Sequence, residues 1–387
     1  MVLSGSKKRA SAATAAADLT DDLIVEILSR LPVKSICRFK CVSRHWRGLL
    51  ISDPAHRKKL PQTLSGFFYP RYYRLDDADE ITAASDFVGI SRGEELPFHD
   101  PSLPFLPGYR WISPMDCCGG LLLCDCRKVN PRDEFNYVVC NPATDKWVVL
   151  PEAPYKDSPV ATIRLCFDAA ISSHFHVLEL LDEDQYGYIT GLNIYSSETG
   201  AWSHKENGWG DEVVPVESRG VFMNEMLHLI SYDFMILTVD TEGKTWRTIP
   251  LLESMGFENF WHGPVAFLGQ SQGHLCYMNT RKHISNKISV WILEDYSAGR
   301  WIFKYNISTS QIFGEVDLMM ERDYALIAIH PEAHVIFFVW KCEDLLMSYD
   351  MDRGKVCVIC SLTEPMFDRF PPYFPYAPSF HGLADQD

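Results

Sequence analysis

Apolar residues near the N-terminus recur at helical spacing. Leu23, Ile27 and Leu31 follow every fourth residue and share one face of a helix that Pro32 ends or bends. A second helix is predicted from apolar positions three or four residues apart, namely Ile36, Phe39, Val42, Trp46 and Leu49. A third is predicted over 55–60, because 52–54 supply a serine N-cap region followed by proline. The pattern therefore predicts three small helices within 18–61.

Beyond residue 61 the periodicity changes to two, and short β-rich runs are separated by Gly, Pro, Asp and Asn. One turn recurs at 141–147, 195–202, 240–246, 295–301 and 350–356; four copies end in tryptophan and the fifth in valine. Each turn is expected to join the outer strands of one sheet, with the aromatic side chain packed between neighbouring sheets. The structural residues predicted at these turns are Trp147, Trp202, Gly243, Trp246, Gly299, Trp301 and Gly354.

The last positions of successive turns are 55, 44, 55 and 55 residues apart. A repeated four-stranded unit of about 50 residues is typical of a β-propeller. The 326 residues after position 61, divided by the mean interval of 52, give about six blades. Five units are visible, so the sixth is assigned to 62–113, with C-terminal strands as candidates for closing the ring. Five or seven blades, or another β repeat fold, remain alternatives at this point.

Charge divides the chain at the same place. Residues 1–61 hold 12 Lys+Arg and 5 Asp+Glu, a net charge of +7, whereas 62–387 hold 24 and 46, a net charge of −22. A basic module on an acidic body predicts two surfaces with different partners and argues against the whole chain being a nucleic-acid binder. The predicted organisation is a disordered tail over 1–17, a helical domain over 18–61 and the repeat domain over 62–387.

Targeting segments change this organisation little. The basic cluster at 7–9 has no apolar core behind it, so it is not a secretory signal; nuclear import or a transit peptide are the weaker alternatives to a disordered tail. No stretch approaches the roughly 18 apolar residues that a membrane helix requires. We therefore expect a protein of the cytoplasm, the nucleus or both, without a membrane partner.

The helical module also matches a family pattern. Residues 19–50, LTDDLIVEILSRLPVKSICRFKCVSRHWRGLL, resemble the F-box, whose pattern runs L-P-x-D, I-L-x-R-L-P and then a leucine-rich stretch ending in V-x-x-x-W-x-x-L. Thr20 stands where the family usually has proline. Because threonine also starts helices well, we expect this departure to cost little.

The resemblance implies docking onto the Skp-type adaptor of a cullin-RING (SCF) ubiquitin ligase. A helical interface of this kind uses a few large apolar anchors. The adaptor contacts carried over from the motif are Leu19, Ile27, Leu28, Leu31, Pro32, Val33, Ile36, Val42 and Trp46. The cations between 38 and 47 either attract an acidic partner or form a solvated face. A DNA-binding helix is disfavoured, because the stripe carries aromatic and aliphatic side chains instead of polar base readers.

The repeat region is similar to the F-box-associated domain of plant F-box proteins, which is related to Kelch-type propellers. The matching segments are Cys-Asn-Pro-Ala-Thr-Asp-Lys-Trp-Val-Val-Leu-Pro at 140–151 and Phe-Met-Asn-Glu-Met-Leu-His at 222–228. Glu225 stands where the family commonly has glycine, so a different hairpin tip is expected. The resemblance covers most of 110–360.

Motifs for chemistry are absent from the sequence. Neither a phosphate-binding Gly-rich loop, an H-E-x-x-H nor a G-x-S-x-G motif occurs. The densest cysteine group, within 117–126, lacks paired C-x2-C spacing, so reduced buried thiols are favoured over zinc. His174 and His176 share a strand face without a third ligand, which favours a solvated or hydrogen-bonded pair. We therefore predict no catalytic residue, no metal and no cofactor.

The sequence thus predicts a substrate receptor. The F-box holds the adaptor and, through it, the cullin and RING subunits, while the propeller captures a target protein so that ubiquitin is transferred by proximity. A non-degradative scaffold is the second hypothesis, and a propeller enzyme or glycan-binding module is the third. The identity of the target does not follow from the composition of the loops.

Overall fold

A computed structural model describes most of the chain. The described residues are 20–28, 45, 64–74, 81–91, 98–106, 108–129, 134–154, 160–182, 187–215, 219–255, 266–281, 287–314, 324–362, 372–379 and 383. The chain divides into two compact units, Met1–Pro61 and Gln62–Asp387. The predicted tail over 1–17 and the second and third helices of the N-terminal module, apart from the helical His45, lie outside the described residues.

The described part of the first unit is helix α1 (Asp21–Leu28). Thr20 precedes the helix and its carbonyl accepts the amide of Ile24 at 3.0 Å, so the helix starts without the proline of the motif. Two aspartates in the first turn favour this start, because carboxylates stabilise the positive end of the helix dipole. Asp21 also lies 2.9 Å from the Nε2 atom of His45.

The second unit consists of antiparallel strands with little helix. In chain order the strands are β1 (Gly66–Arg74), β2 (Ile81–Gly89), β3 (Tyr109–Cys118), β4 (Leu121–Lys128), β5 (Phe135–Asn141), β6 (Lys146–Val149), β7 (Val160–Cys166), β8 (His176–Leu181), β9 (Gly191–Ser196), β10 (Ala201–Glu206), β11 (Val221–Met223), β12 (Met226–Ile230), β13 (Met235–Asp240), β14 (Trp246–Pro250), β15 (Ala266–Ser271), β16 (His274–Arg281), β17 (Lys287–Asp295), β18 (Arg300–Ser308), β19 (Tyr324–Ile329), β20 (Val335–Trp340), β21 (Leu345–Asp350), β22 (Lys355–Ser361) and β23 (Phe374–Tyr376). The helical segments are a 3-10 turn (Glu253–Met255) and α2 (Thr309–Phe313).

The strands form six sheets, which confirms the prediction of a six-bladed propeller. Blade I has the order β2-β1-β23, and blades II to VI are β3 to β6, β7 to β10, β11 to β14, β15 to β18 and β19 to β22, each paired in chain order. The first strand of each four-stranded blade is the innermost. In blade I this place is taken by β23, which contacts β3 of blade II and β19 of blade VI. The C-terminal strand therefore closes the ring, as the sequence suggested.

Six apolar clusters fill the six junctions between blades. Each blade contributes side chains to the clusters on both of its faces, because successive side chains along a strand point to opposite faces of the sheet. In β1, Phe67 packs into the cluster shared with blade VI, whereas Phe68 packs into the cluster shared with blade II. Both rings are fully buried. The period-two pattern of the sequence is thus the pattern of blade stacking.

The recurring turn joins the third and fourth strands of blades II to VI. Glycine occupies its left-handed position in four copies, at Gly200, Gly243, Gly299 and Gly354, with φ between 63° and 67°. In blade II, Asp145 takes the same conformation with φ 55°. In blades II, IV, V and VI an acidic or amide side chain at the start of the turn accepts from backbone amides; Asp240, for example, accepts from residues 242, 244 and 245 at 2.8–3.0 Å.

The hairpin tip at Glu225 keeps the geometry that a glycine would adopt. Asn224 and Glu225 have φ values of 53° and 62°, and they connect two directly paired strands. A two-residue turn with positive φ at both positions matches the twist of the flanking strands. Glu225 therefore adopts a left-handed conformation that favours glycine.

Candidate functional site

Helix α1 presents two large apolar side chains at its surface. Leu23 is 50% exposed and Ile27 is 49% exposed, whereas Ile24, Val25 and Leu28 are buried. The sequence placed Leu23 and Ile27 on the main stripe and treated Ile24 and Leu28 as flanking positions; the structure reverses their burial. Helical spacing alone defines which residues share a face, and tertiary packing decides which face is covered. Leu23 and Ile27 form the exposed pair of α1.

The predicted adaptor contacts divide accordingly. Ile27 is exposed and accessible to a partner, and Leu28 is buried. The other predicted contacts lie outside the described residues; these are Leu19, Leu31, Pro32, Val33, Ile36, Val42 and Trp46. Their role stays a prediction.

Two of the turn tryptophans link neighbouring blades directly. Trp202 donates its indole N–H to the carbonyl of Pro151 at 2.7 Å, and Trp301 donates to the carbonyl of Pro250 at 3.2 Å. Pro250 ends the last strand of blade IV and Pro151 lies two residues after the last strand of blade II, so each tryptophan joins the outer edge of one blade to the next blade. Trp301 is 5% exposed.

The other two turn tryptophans are placed differently. Trp246 donates to the carbonyl of Gly243 within its own turn at 3.0 Å and packs edge-on against Trp209 at 4.7 Å. Trp147 is 39% exposed. The fifth turn holds Val356, which packs against the cluster between blades V and VI. The turn is thus repeated, but the contact that its aromatic residue makes is not.

A C-terminal contact was not predicted from the sequence. Asn141, fully buried at the first recurring turn, donates to the carbonyl of Ser379 at 2.8 Å and accepts the amide of Ala143 at 3.0 Å. A side chain at Gly120 would collide with the backbone of Ser379. Leu383 packs into the cluster between blades II and III. The segment that follows β23 therefore continues across blade II on the side of its hairpin turns.

Charged side chains meet at the centre of the ring. Asp116 on β3 accepts the amide of Leu165 on β7 at 2.8 Å. Burial raises the pKa of Asp116, and Arg164 and two backbone amides oppose this rise. Arg219, which precedes β11, donates to the carbonyls of Ile327 and Tyr373 at 3.1 and 3.2 Å. Because these carbonyls belong to blade VI and to the approach to β23, the Arg219 side chain crosses the centre and ties opposite sides together.

One buried histidine joins blades IV and V. His228 is fully buried; its Nδ1 lies 3.1 Å from the carbonyl of Val221, and its Nε2 lies 2.9 Å from the hydroxyl of Tyr296. Nδ1 therefore carries the proton and Nε2 accepts from the tyrosine. Desolvation lowers the pKa of His228 to about 4, so the ring is neutral. Arg247 lies over the Tyr296 ring at 5.3 Å.

The cysteines and histidines singled out in the sequence are packed without a ligand cluster. Within the described residues no group of three or more His, Cys, Asp or Glu side chains is placed to hold a metal ion. The thiols of the 117–126 group are unpaired, and burial raises the pKa of Cys118 to about 12, which disfavours the nucleophilic thiolate. Burial also lowers the pKa of His176. No helix in the described part of the chain is long and apolar enough to cross a bilayer.

Comparison with known proteins places both units in recognised families. The F-box domain pattern matches residues 17–58, and the pattern "F-box protein At3g26010-like, beta-propeller" matches residues 107–364. "F-box protein At5g07610" of Arabidopsis thaliana is 27% identical over 81% of this chain and 76% of its own length. "Putative F-box/kelch-repeat protein At1g15680" and "F-box protein At3g26010", both of Arabidopsis thaliana, are 25% and 24% identical over 88% and 83% of this chain and 83% and 74% of their own lengths.

Similarity to solved structures is more distant. "YCF48 bound to D1 peptide" aligns with a TM-score of 0.38 and 10% identity over 77% of this chain and 82% of that chain, a likeness that carries no functional argument. The propeller pattern spans two thirds of the chain and coincides with blades II to VI. The chain therefore belongs to the family of F-box proteins with an At3g26010-like β-propeller.

Proposed function

We propose that this protein is the substrate receptor of an SCF ubiquitin ligase. The F-box match over 17–58 carries the proposal, because this domain implies a Skp-type adaptor as partner. The adaptor brings the cullin and RING subunits, and the propeller holds a target protein near the ubiquitin-carrying enzyme. The gain is one of effective concentration, so the receptor itself needs no catalytic group.

The exposed pair of α1 supports this assignment. An apolar side chain that is half exposed on a short helix gains free energy when a partner covers it, at about 25 cal/mol per Å². Leu23 and Ile27 lie four residues apart and therefore side by side on the helix. Apolar side chains at this i, i+4 spacing are what an amphipathic helix places in the groove of a partner.

The centre of the propeller favours binding over catalysis. An enzyme requires polar groups that are free to act on a substrate, whereas Asp116 and Arg219 are engaged with backbone groups of other blades, and Arg164 donates to the carbonyl of Ile163 on its own strand. These contacts stabilise the ring. A propeller enzyme or glycan-binding module is therefore the weaker candidate.

The test is binding of the full-length chain to a purified Skp-type adaptor. Changing Leu23 and Ile27 together to aspartate places two charges in the proposed interface, and we expect at least a 100-fold loss of affinity. Glu26→Gln, on an exposed position of the same helix, is the matched control and retains binding. Unchanged affinity of the double variant contradicts the proposed docking surface.

Degradation is tested separately. Depleting the protein from cells should raise the abundance of the captured target if the complex is a ligase. An unchanged abundance together with intact adaptor binding supports the non-degradative scaffold instead.

A further inference from the structure

A cavity of about 190 Å³ opens between blades V and VI. The apolar part of its lining includes Cys276, Val290, Ile292, Ile329 and Met351. A closed apolar cavity of about 150 Å³ is large enough to bind benzene. The space between the two blades is therefore sufficient for an aromatic ring.

Strand irregularities shape this cavity. The pairing of β17 with β18 shifts register between Val290 and Trp291 and again between Leu293 and Asp295. Both shifts lie beside residues that line the cavity, including Ile292 and Glu294. A β-bulge re-aims the side chains around it and bends the strand, so regular interdigitation is interrupted at this junction.

Hydrogen bonds on the inner side hold the two blades at a fixed separation. The amide of Gln272 donates to the carbonyl of Pro331 at 2.7 Å, and the hydroxyl of Ser271 donates to the carbonyl of His330 at 2.8 Å. These bonds connect the first hairpin turn of blade V to that of blade VI. The cavity is preformed, which lowers the cost of ordering on binding.

A histidine supplies the directional group of the cavity. His334 Nδ1 lies 2.9 Å from a carboxylate oxygen of Asp352 and 2.9 Å from the hydroxyl of Tyr305, and that hydroxyl donates to Asp352 at 2.5 Å. Because the carboxylate accepts, Nδ1 carries a proton, and in the uncharged form of the imidazole Nε2 is the acceptor. Nε2 has no hydrogen-bond partner among the described residues, and the His334 ring lines the cavity.

The charges at the rim are already compensated. Glu294 pairs with Arg300 at 2.8 Å, and the carboxylate of Asp352, which accepts from Tyr305 and His334, has the ammonium group of Lys304 close enough to interact with it. A cationic or anionic occupant therefore finds no free counter-charge. An aliphatic or phenyl occupant would shield Nε2 of His334 from water without donating a hydrogen bond to it, and leaving this acceptor unpaired costs free energy. An uncharged ring that carries a hydrogen-bond donor meets both conditions.

We propose that this cavity binds a tryptophan or tyrosine side chain of a target protein, whose N–H or O–H donates to Nε2 of His334. The rings of Tyr305 and His334, 5.5 Å apart and inclined by 63°, provide an aromatic wall for the occupant. This proposal rests on the proposed receptor function in one respect, namely that the side chain in the cavity belongs to a captured target protein. The preference for a donor-bearing ring follows from the cavity itself.

The test measures binding of small probes to the full-length chain by ligand-observed NMR titration. The probes are N-acetyl-tryptophanamide and N-acetyl-phenylalaninamide, which differ in the donor that the indole supplies. We expect saturable binding of the tryptophan probe, about fivefold to tenfold tighter than that of the phenylalanine probe, as one hydrogen bond implies.

Three cavity variants and one control locate the site. His334→Asn keeps a donor to Asp352 at the position of Nδ1 but removes the Nε2 acceptor, so the two probes should bind with equal affinity. His334→Gln places an amide oxygen near the position of Nε2 and should partly restore the tighter binding of the tryptophan probe. Ile302→Phe fills the cavity from the partly exposed outer strand and abolishes binding of both probes. Phe303→Ala, on the opposite face of β18, leaves binding unchanged.

Adaptor binding of the same variants separates this proposal from the receptor function. All of them are expected to bind the adaptor like the unaltered chain, and thermal unfolding verifies that each is folded. Absence of saturable binding, equal affinity for the two probes, or binding that survives Ile302→Phe each overturns the proposal. Loss of adaptor binding by the unaltered chain contradicts only the proposed receptor function.

Discussion

Blade I and blades II to VI reach the same architecture by different routes. In blades II to VI each four-stranded sheet is a continuous segment, and its third and fourth strands are joined by a short turn. Blade I combines β1 and β2 with β23, which lies at the other end of the domain, and it has three strands within the described residues. The closing blade therefore depends on contacts between residues that are far apart in sequence.

Their packing differs in the same way. In blade I an aromatic group closes the junction with blade II: Phe68 lies 4.9, 5.1 and 5.0 Å from Phe87, Phe98 and Tyr376. The recurring blades instead use their turns, with Asx hydrogen bonds, left-handed glycine and, in two cases, a tryptophan bond to the preceding blade. Forming a local turn has a small entropic cost of loop closure. Pairing β1 with β23 closes a much longer loop, so more buried surface is needed to offset the larger cost. The comparison predicts where the domain is most vulnerable.

Removing the closing strand is expected to have the largest effect. Ending the chain at residue 371 deletes β23, including the buried rings of Phe374 and Tyr376, and the buried Leu383. Each buried aromatic ring is worth about 3–5 kcal/mol, so the total loss is on the order of 10 kcal/mol, comparable with the stability of a whole domain. We expect no cooperative unfolding transition in urea when it is followed by near-UV circular dichroism.

The matched control ends the chain at residue 383 and so keeps every described contact of the C-terminus. This variant is expected to unfold like the complete chain. If the chain ending at 371 unfolds cooperatively at the original urea midpoint, β23 does not hold the ring closed, and the proposed difference between blade I and the other blades is wrong.

The same difference explains how much of the fold the sequence predicts. The turns at 141–147 and at the four later copies are local, so their spacing predicts the blade repeat and leads to six blades. The described residues of blade I include no such turn, and the pairing of Phe68 with Phe374 spans most of the domain. The sequence suggested C-terminal strands for closure without indicating which residues pair, because no local pattern encodes a distant partner.

The candidate sites follow the same rule: a site encoded by contiguous residues is predicted, and a site formed by distant residues is not. The F-box motif is contiguous and is recognised by its spacing, but which face of α1 is exposed depends on packing that spacing does not contain. The cavity beside His334 was missed, since it combines the four strands of blade V with β19 and turn residues of blade VI, which are separated in sequence. The sequence does contain one signal for it: His334 lies in the turn between β19 and β20, and Asp352 lies in the turn between β21 and β22 of the same blade.

A second prediction concerns pH and the junction of blades IV and V. The pKa of His228 is about 4 in the folded chain and near 6.5 when unfolded, so the unfolded state binds the proton more readily. Stability from this group is fully present above pH 6.5 and falls as the pH decreases towards 4, by about 3 kcal/mol in total. Burial also lowers the pKa of His176 and His330, so substitution of His228 is needed to isolate the part that comes from blades IV and V.

Urea unfolding of the complete chain and of His228→Asn between pH 7 and pH 4 measures this effect. Asparagine retains a donor towards Val221 but does not titrate, so the stability difference between the two proteins should shrink or reverse as the pH falls. Hydrogen exchange at pH 5 should show the first loss of protection in β12 and in the turn containing Tyr296. Parallel stability curves for the two proteins rule out His228 as the source.

The smallest predicted effect separates the recurring turns from one another. Gly243 and Gly354 have nearly equal φ values of 65° and 63°, so replacing either with alanine incurs the left-handed backbone cost of about 1 kcal/mol. A Cβ at Gly243 would lie 2.5 Å from Cγ of Lys205 and 3.0 Å from Cδ1 of Ile194 in the preceding blade, whereas at Gly354 the nearest atom is 3.7 Å away. Lys205 is flexible and can move, whereas Ile194 is buried. We therefore expect Gly243→Ala to destabilise the domain by about 1 kcal/mol more than Gly354→Ala, which is the size of the cost of overpacking.

Thermal unfolding of the two variants measures this difference in stability. Equal losses would show that the turns are interchangeable local units whose contacts with the preceding blade contribute nothing to stability.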